Sequence, residues 1–168
     1  MRVFVGIKLE NNLIIKLLKI GEYLYQNGVR GNFTSKDNFH VTLSFIGEVN
    51  NEGIENIKKI IEEISLEKFD IEVVSIRKFK DYVICDINKC EALISLQKKL
   101  RNGLIESGFK VDMKEYMPHI TVIREPIGIK EEYFNVLNKN IKIKNSVNKL
   151  TLFESKRING ALKYVELN

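Results

Sequence analysis

The stretch Phe39-His40-Val41-Thr42-Leu43-Ser44-Phe45 recurs as Pro118-His119-Ile120-Thr121-Val122-Ile123-Arg124, and the reading of the chain turns on this pair. The sequence holds only two histidines, each followed by an apolar residue, a threonine and another apolar residue. Threonine occurs otherwise only at Thr34 and Thr151. Its return at the same distance from both histidines is therefore informative, even though β-branched side chains favour strands. Alternate side chains of a strand share a face. His40 and Thr42 thus project to one side with Val41 and Leu43 on the other, and His119 and Thr121 do the same against Ile120 and Val122.

The two histidines lie 79 residues apart, nearly half of the 168-residue chain. The surroundings follow the same offset. Residues 2–9 alternate as a strand, and leucines at 13, 17 and 24, with Ile14, Leu18 and Tyr25 beside them, predict a helix over 12–26. A polar loop, 32–38, leads into the first histidine strand, 39–46, and isoleucines 54, 57, 61 and 64 predict a helix over 52–65. Strands at 69–77 and 81–88 follow, then a helix marked by Leu93, Leu96, Leu100 and Leu104, a mixed loop at 109–117 and the second histidine strand at 118–124. A short helix near 130–138 and strands near 141–147, 149–156 and 162–167 complete the order. Shifted by 79, strand 3–9 falls on 82–88 and helix 13–26 on 92–105. The pattern predicts an α+β fold of two pseudo-symmetric lobes about an approximate two-fold axis, each giving one histidine to a shared cleft.

Size and composition fit a single soluble domain spanning 1–168. The chain is 44% hydrophobic and 29% charged, with no linker-like segment, and can bury roughly 70% of its unfolded surface. Lys and Arg outnumber Asp and Glu by 27 to 22, a formal charge of +5, which suits an anionic partner without demanding one. Cys85 and Cys90 do not form a zinc-ligand pattern, and two thiols in a chain of this size point to a reducing compartment. The apolar N-terminal run is too short for a secretory signal and no run approaches membrane-spanning length, so a cytoplasmic protein is expected.

Imidazole titrates near neutrality, so two of them can act as acid and base in one cycle. A hydroxyl beside each can bind a phosphoryl oxygen or orient the ring. The set suits in-line attack at phosphorus, one histidine taking a proton from the nucleophile and the other protonating the departing oxygen. A catalytic metal site wants three protein ligands, and neither motif has Asp or Glu within three positions, so neither metal nor cofactor is expected.

With these motifs the chain resembles the RNA 2′,3′-cyclic phosphodiesterases, the 2′–5′ RNA ligase-like proteins of the 2H phosphoesterase superfamily, whose signature is His-x-Thr-x twice. Here these are His40-Val41-Thr42-Leu43 and His119-Ile120-Thr121-Val122. Arg2 to Ile7 resembles the family's opening strand, Gly47-Glu48 the exit of its first motif, and Leu150 to Ser155 with Gly160 and Tyr164 its closing hairpin. The resemblance implies two antiparallel sheets with helices on their outer sides around a central cleft. It implies a monomer that opens 2′,3′-cyclic phosphates at RNA ends, or small cyclic nucleotides, to 2′-phosphomonoesters. It makes His40 the proton donor, His119 the proton acceptor, and Thr42 and Thr121 the holders of phosphate oxygens. Sequence symmetry alone does not assign the two histidine roles. Arg124 matches a family position, yet strict alternation puts it opposite His119 unless the strand ends or bulges there. Phe4 is a candidate for stacking on a base, with core packing as its other role; Tyr116 is similar, and Lys8 and Lys156 are candidates for backbone contacts. The rival readings are 2′–5′ ligation or another phosphodiester hydrolysis in the same cleft, or a non-catalytic binder of RNA ends.

Overall fold

The computed structural model describes residues 1–167. Its order is β1 (Arg2–Lys8), α1 (Asn11–Gln26), β2 (Arg30–Phe33), a 3-10 turn (Lys36–Asn38), β3 (His40–Glu48), α2 (Asn51–Glu63), β4 (Phe69–Phe79), β5 (Tyr82–Ile87), α3 (Glu91–Glu106), β6 (His119–Ile127), α4 (Glu131–Asn138), β7 (Ile143–Val147), β8 (Thr151–Ile158) and β9 (Ala161–Glu166). One sheet runs β3-β1-β8-β9 and the other β2-β6-β5-β4-β7. Every strand pair is antiparallel. This is the α+β architecture of two sheets that the repeat predicts.

The helices form where apolar residues recur at helical spacing. Leu13, Leu17, Ile20 and Leu24 are buried along α1, while Leu18 and Tyr25, expected on its stripe, are 40% and 53% exposed. Leu93, Leu96, Leu100 and Leu104 are buried along α3. The Asn50 side chain caps α2 by accepting a hydrogen bond from the Gly53 amide at 2.8 Å, satisfying one of the orphan donors of its first turn. The buried side chains of both sheets and all four helices form one contiguous apolar cluster.

Three features depart from the sequence reading. First, the lobes are not the halves of the chain. β4, from the first half, pairs with β5 and β7 in the second sheet, whereas β8, from the second half, pairs with β1 and β9 in the first. Helices cross over as well: α1 follows β1 but lies against β6 and β7, and α3 follows β5 but lies against β3. The crossing of α1 is fastened at its start, where the Glu10 amide donates to Asn145 Oδ1 and Glu10 Oε1 accepts from the Ser146 amide, both at 2.7 Å. Second, part of the expected loop is β2, which pairs with β6 and gives the second sheet a fifth strand. Third, the opening strands repeat at 78 residues. Gly6 lies opposite Thr42 and Ile84 opposite Thr121, which sets Lys8 against His40 and Asp86 against His119. A one-residue slip exchanges the faces of a strand, so the difference bears directly on the site.

Candidate active site

Each motif histidine is the first residue of its strand, and the two strands touch where the sheets meet. Val41, Leu43, Ile120 and Val122 are all buried to 3% exposure or less, which anchors the strands and turns the histidines and threonines to the opposite face. Both rings are pinned in the same way. Nδ1 of His40 lies 2.7 Å from the Asn38 carbonyl and Nδ1 of His119 lies 2.7 Å from the Met117 carbonyl, residues that are themselves 79 apart. A carbonyl oxygen only accepts, so each Nδ1 carries hydrogen and each Nε2 is left for chemistry. His40 Nε2 is 2.9 Å from Thr42 Oγ1. His119 Nε2 has no hydrogen-bond partner among the described residues. Both rings and both threonines line one cleft of about 390 Å³, together with Thr34, Asn38, Arg124 and Tyr164.

Arg124 reaches this cleft through a β-bulge. Between Val83 opposite Ile123 and Ile84 opposite Thr121, the ladder skips Val122. The first sheet skips Leu43, again 79 residues earlier, between Val5 opposite Ser44 and Gly6 opposite Thr42. An extra residue reverses the alternation beyond it. Arg124 therefore returns to the side of His119 and Thr121, and Phe45, its counterpart, to the side of His40 and Thr42. The outward carbonyls at these points are satisfied reciprocally. Tyr116, from the loop before the second motif, donates its hydroxyl to Thr42 O at 2.8 Å, and Gln97 Nε2 donates to Leu43 O at 3.4 Å. Thr34, before the first motif, donates its hydroxyl to Thr121 O and its amide to Val122 O, both at 2.9 Å.

The two imidazoles differ in their surroundings. His40 is wrapped in aromatic rings, with Phe4 at 4.8 Å, Tyr164 at 4.9 Å edge-on and Phe153 at 6.2 Å between centroids. Burial is the main cause that lowers the His40 pKa; the bond to the Asn38 carbonyl works against it, and the positive charges of His119 and Arg124 work with it. Phe4 is only 4% exposed and stacks on Phe153 at 5.1 Å, so its ring supports His40 and has no open face for a base. Gly6 is required by the close approach of β3, since a Cβ there would lie 2.7 Å from the Val41 carbonyl; at 3.6 Å from each phenyl ring it would only touch them. Beside His119 stands Asp86. Burial pushes its carboxyl up, but bonds from Arg77 Nε at 2.7 Å and Ser75 Oγ at 2.8 Å, with the charges of Arg77 and His119, bring it below its ordinary value.

The structure thus gathers His40, Thr42, His119, Thr121 and Arg124 in one cleft, while Phe4, 4% exposed, does not line it. Tyr116 is a clamp rather than a stacking platform. Lys8 is paired with Glu166 at 3.0 Å, and Lys156 lies 3.8 Å from Glu154. Asn38 and Thr34 escaped the sequence reading because their loop carries no periodicity. Asn38 is 7% exposed, orients His40 through its carbonyl, and joins β9 through Leu162 O and the Tyr164 amide. The one available signal was that Asn38 and Met117 each precede a histidine by two residues. Among the described residues no three His, Cys, Asp or Glu side chains gather as a metal site would require, and no helix is long and apolar enough to cross a membrane.

Two histidines facing one cleft from two antiparallel sheets define a phosphoesterase-like arrangement. The family model for the 2′-5′ RNA ligase superfamily matches residues 31–159, and the chain belongs to that family. A relative named RNA 2′,3′-cyclic phosphodiesterase from Methanocaldococcus jannaschii is 27% identical over 128 residues, covering 74% of this chain and 71% of its own. One of the same name from Thermotoga maritima is 28% identical over 131 residues, covering 74% and 70%. Among solved structures, E. coli LigT in apo form superposes with a TM-score of 0.81 at 20% identity, over 99% of this chain and 94% of that one. E. coli LigT complexed with 3′-AMP gives 0.76 at 22% identity, over 99% and 95%.

Proposed function

We propose that this protein hydrolyses 2′,3′-cyclic phosphates at RNA ends, or on small cyclic nucleotides, to 2′-phosphomonoesters. The observation that carries the reading is that both imidazoles line one cleft and both hold Nδ1 on a backbone carbonyl, which leaves Nε2 as the nitrogen for proton transfer. In the assigned sequence His119 Nε2 takes a proton from water as its oxygen attacks phosphorus. The bond from phosphorus to the 3′ oxygen breaks, and His40 Nε2 delivers a proton to that oxygen. Thr42, Thr121 and Arg124 hold the non-bridging oxygens, where donors aimed at developing charge lower the barrier. The proton and electron count closes with no metal or cofactor. The names of the curated relatives support the substrate class, and the family resemblance supports which histidine does which task.

His40 in the free protein is biased toward its neutral form, yet its assigned task needs a proton. An anionic phosphate between the rings offsets the positive charges of His119 and Arg124 and favours the imidazolium, so the acid is completed as substrate binds. The two free cysteines, Cys85 buried and Cys90 partly so, are in keeping with a reducing compartment. Incubation with adenosine 2′,3′-cyclic phosphate should give the 2′-phosphate alone. A 3′-phosphate as sole product refutes the direction of ring opening, and a 2′–5′-linked dinucleotide as main product favours ligation.

A further inference from the structure

We propose that a second groove, opening from the catalytic cleft across the β3-β1-β8-β9 sheet, binds the nucleotides that precede the cyclic end of a single-stranded RNA. This deepens the reading above and rests on it. The groove has a volume of about 650 Å³ and shares His40, Thr42, Arg124 and Tyr164 with the cleft. From there it continues past Phe45 and Arg2 to Lys156 and Arg157 on β8. The shared residues make the two spaces adjoin, so a strand whose end sits between the histidines can continue into the groove.

Its chemistry is that of a single-strand track. The Leu43 bulge puts Phe45 on the His40 side of β3, where the ring is 45% exposed, large for an aromatic on a strand that buries Val41, Leu43 and Ser44. The Arg2 guanidinium lies over this ring, 5.0 Å from its centroid, a cation–π pair that a base can join by stacking on the ring or on the guanidinium plane. Arg2, Arg124, Lys156 and Arg157 face two carboxylates, Glu48 and Glu154, and Glu154 is engaged by Lys156. Cations spaced about an exposed ring suit a phosphodiester backbone with unstacked bases. The other end of the cleft is lined by Phe79, Lys80 and Tyr82 around the β4–β5 turn, which in this proposal leaves that end for the terminal nucleoside. A cyclic mononucleotide has nothing to put in the second groove; an RNA strand does.

The test compares Phe45→Ala and Arg2→Ala with wild type on adenosine 2′,3′-cyclic phosphate and on a five-nucleotide RNA ending in a 2′,3′-cyclic phosphate. Expected are mononucleotide kcat/KM within twofold of wild type and an oligonucleotide KM raised about tenfold by Phe45→Ala. An unchanged oligonucleotide KM overturns the proposal. So does an equal loss on both substrates, which would make the groove the seat of the terminal nucleoside. If wild type turns over neither substrate, the functional reading fails separately. The groove is then read from the fluorescence anisotropy of the same RNA labelled at its 5′ end. A Kd raised about tenfold in Phe45→Ala supports the track, and an unchanged Kd overturns it.

Discussion

β3 and β6 begin with the same four-residue pattern, bulge at the same point and pin their histidines by the same bond, yet they surround the two imidazoles with opposite chemistry. On β3 the ring is buried among Phe4, Phe153 and Tyr164, and its ladder neighbour is a cation, Lys8. On β6 the corresponding ladder neighbour is a carboxylate, Asp86, held ionised by Arg77 and Ser75. Matched backbones with unmatched environments are what the proposed division into one acid and one base requires of two identical side chains. The repeat supplies the geometry, and the residues outside it supply the asymmetry.

The sharpest way to break the comparison is to remove either imidazole. His40→Ala and His119→Ala should each lower kcat by about 10²–10⁴-fold while the thermal unfolding transition persists, because neither ring carries the core. A variant that keeps full activity would place the chemistry elsewhere. A smaller effect is expected in pH dependence. Since kcat/KM reports the free enzyme, and His40 must be protonated to serve as donor, its charged fraction is lost as pH rises through a pKa held below the ordinary 6.5. The alkaline limb of kcat/KM should therefore begin under pH 6.5, with the limb of kcat displaced upward by bound phosphate. Phe4→Leu, which thins the apolar wrap, should move the first limb toward 6.5. A kcat/KM that is flat from pH 5 to 8 would dismiss His40 as the donor. The mildest changes probe the reciprocal clamps. Tyr116→Phe removes a bond to β3 and Thr34→Val removes one to β6, each costing about 1 kcal/mol in denaturant unfolding, with a few-fold loss in turnover. If both variants match wild type in stability and rate, the clamps do not position the motifs.

How far the sequence carried this picture varies by level. Apolar periodicity located the helices, and the repeated motif located both histidine strands and both threonines, because these are properties of short segments. Partner choice is not. Nothing within β4 or β8 says that each will join the sheet of the other half, since that is decided by contacts far away in sequence. β2 escaped notice because Arg30–Phe33 has only four residues and includes Gly31, whose φ of +147° and crowding, with a Cβ site 2.9 Å from the Glu125 carbonyl, exclude a side chain. The bulges belong to a pair of strands, so the place of Arg124 could be posed as an alternative but settled only by the ladder. The aromatic wrap around His40 draws on β1, β8 and β9, three segments with no common pattern.

The exchange of β4 and β8 has a consequence for how the protein could be divided. Cutting the chain at the β4–β5 turn gives two pieces, each with one histidine and each missing strands needed to complete either sheet. Neither piece alone could assemble a cleft, whereas the two mixed would have to interleave to pair their open edges. Turnover of a cyclic phosphate would then report the meeting of the fragments, and the enzyme would serve as its own complementation sensor.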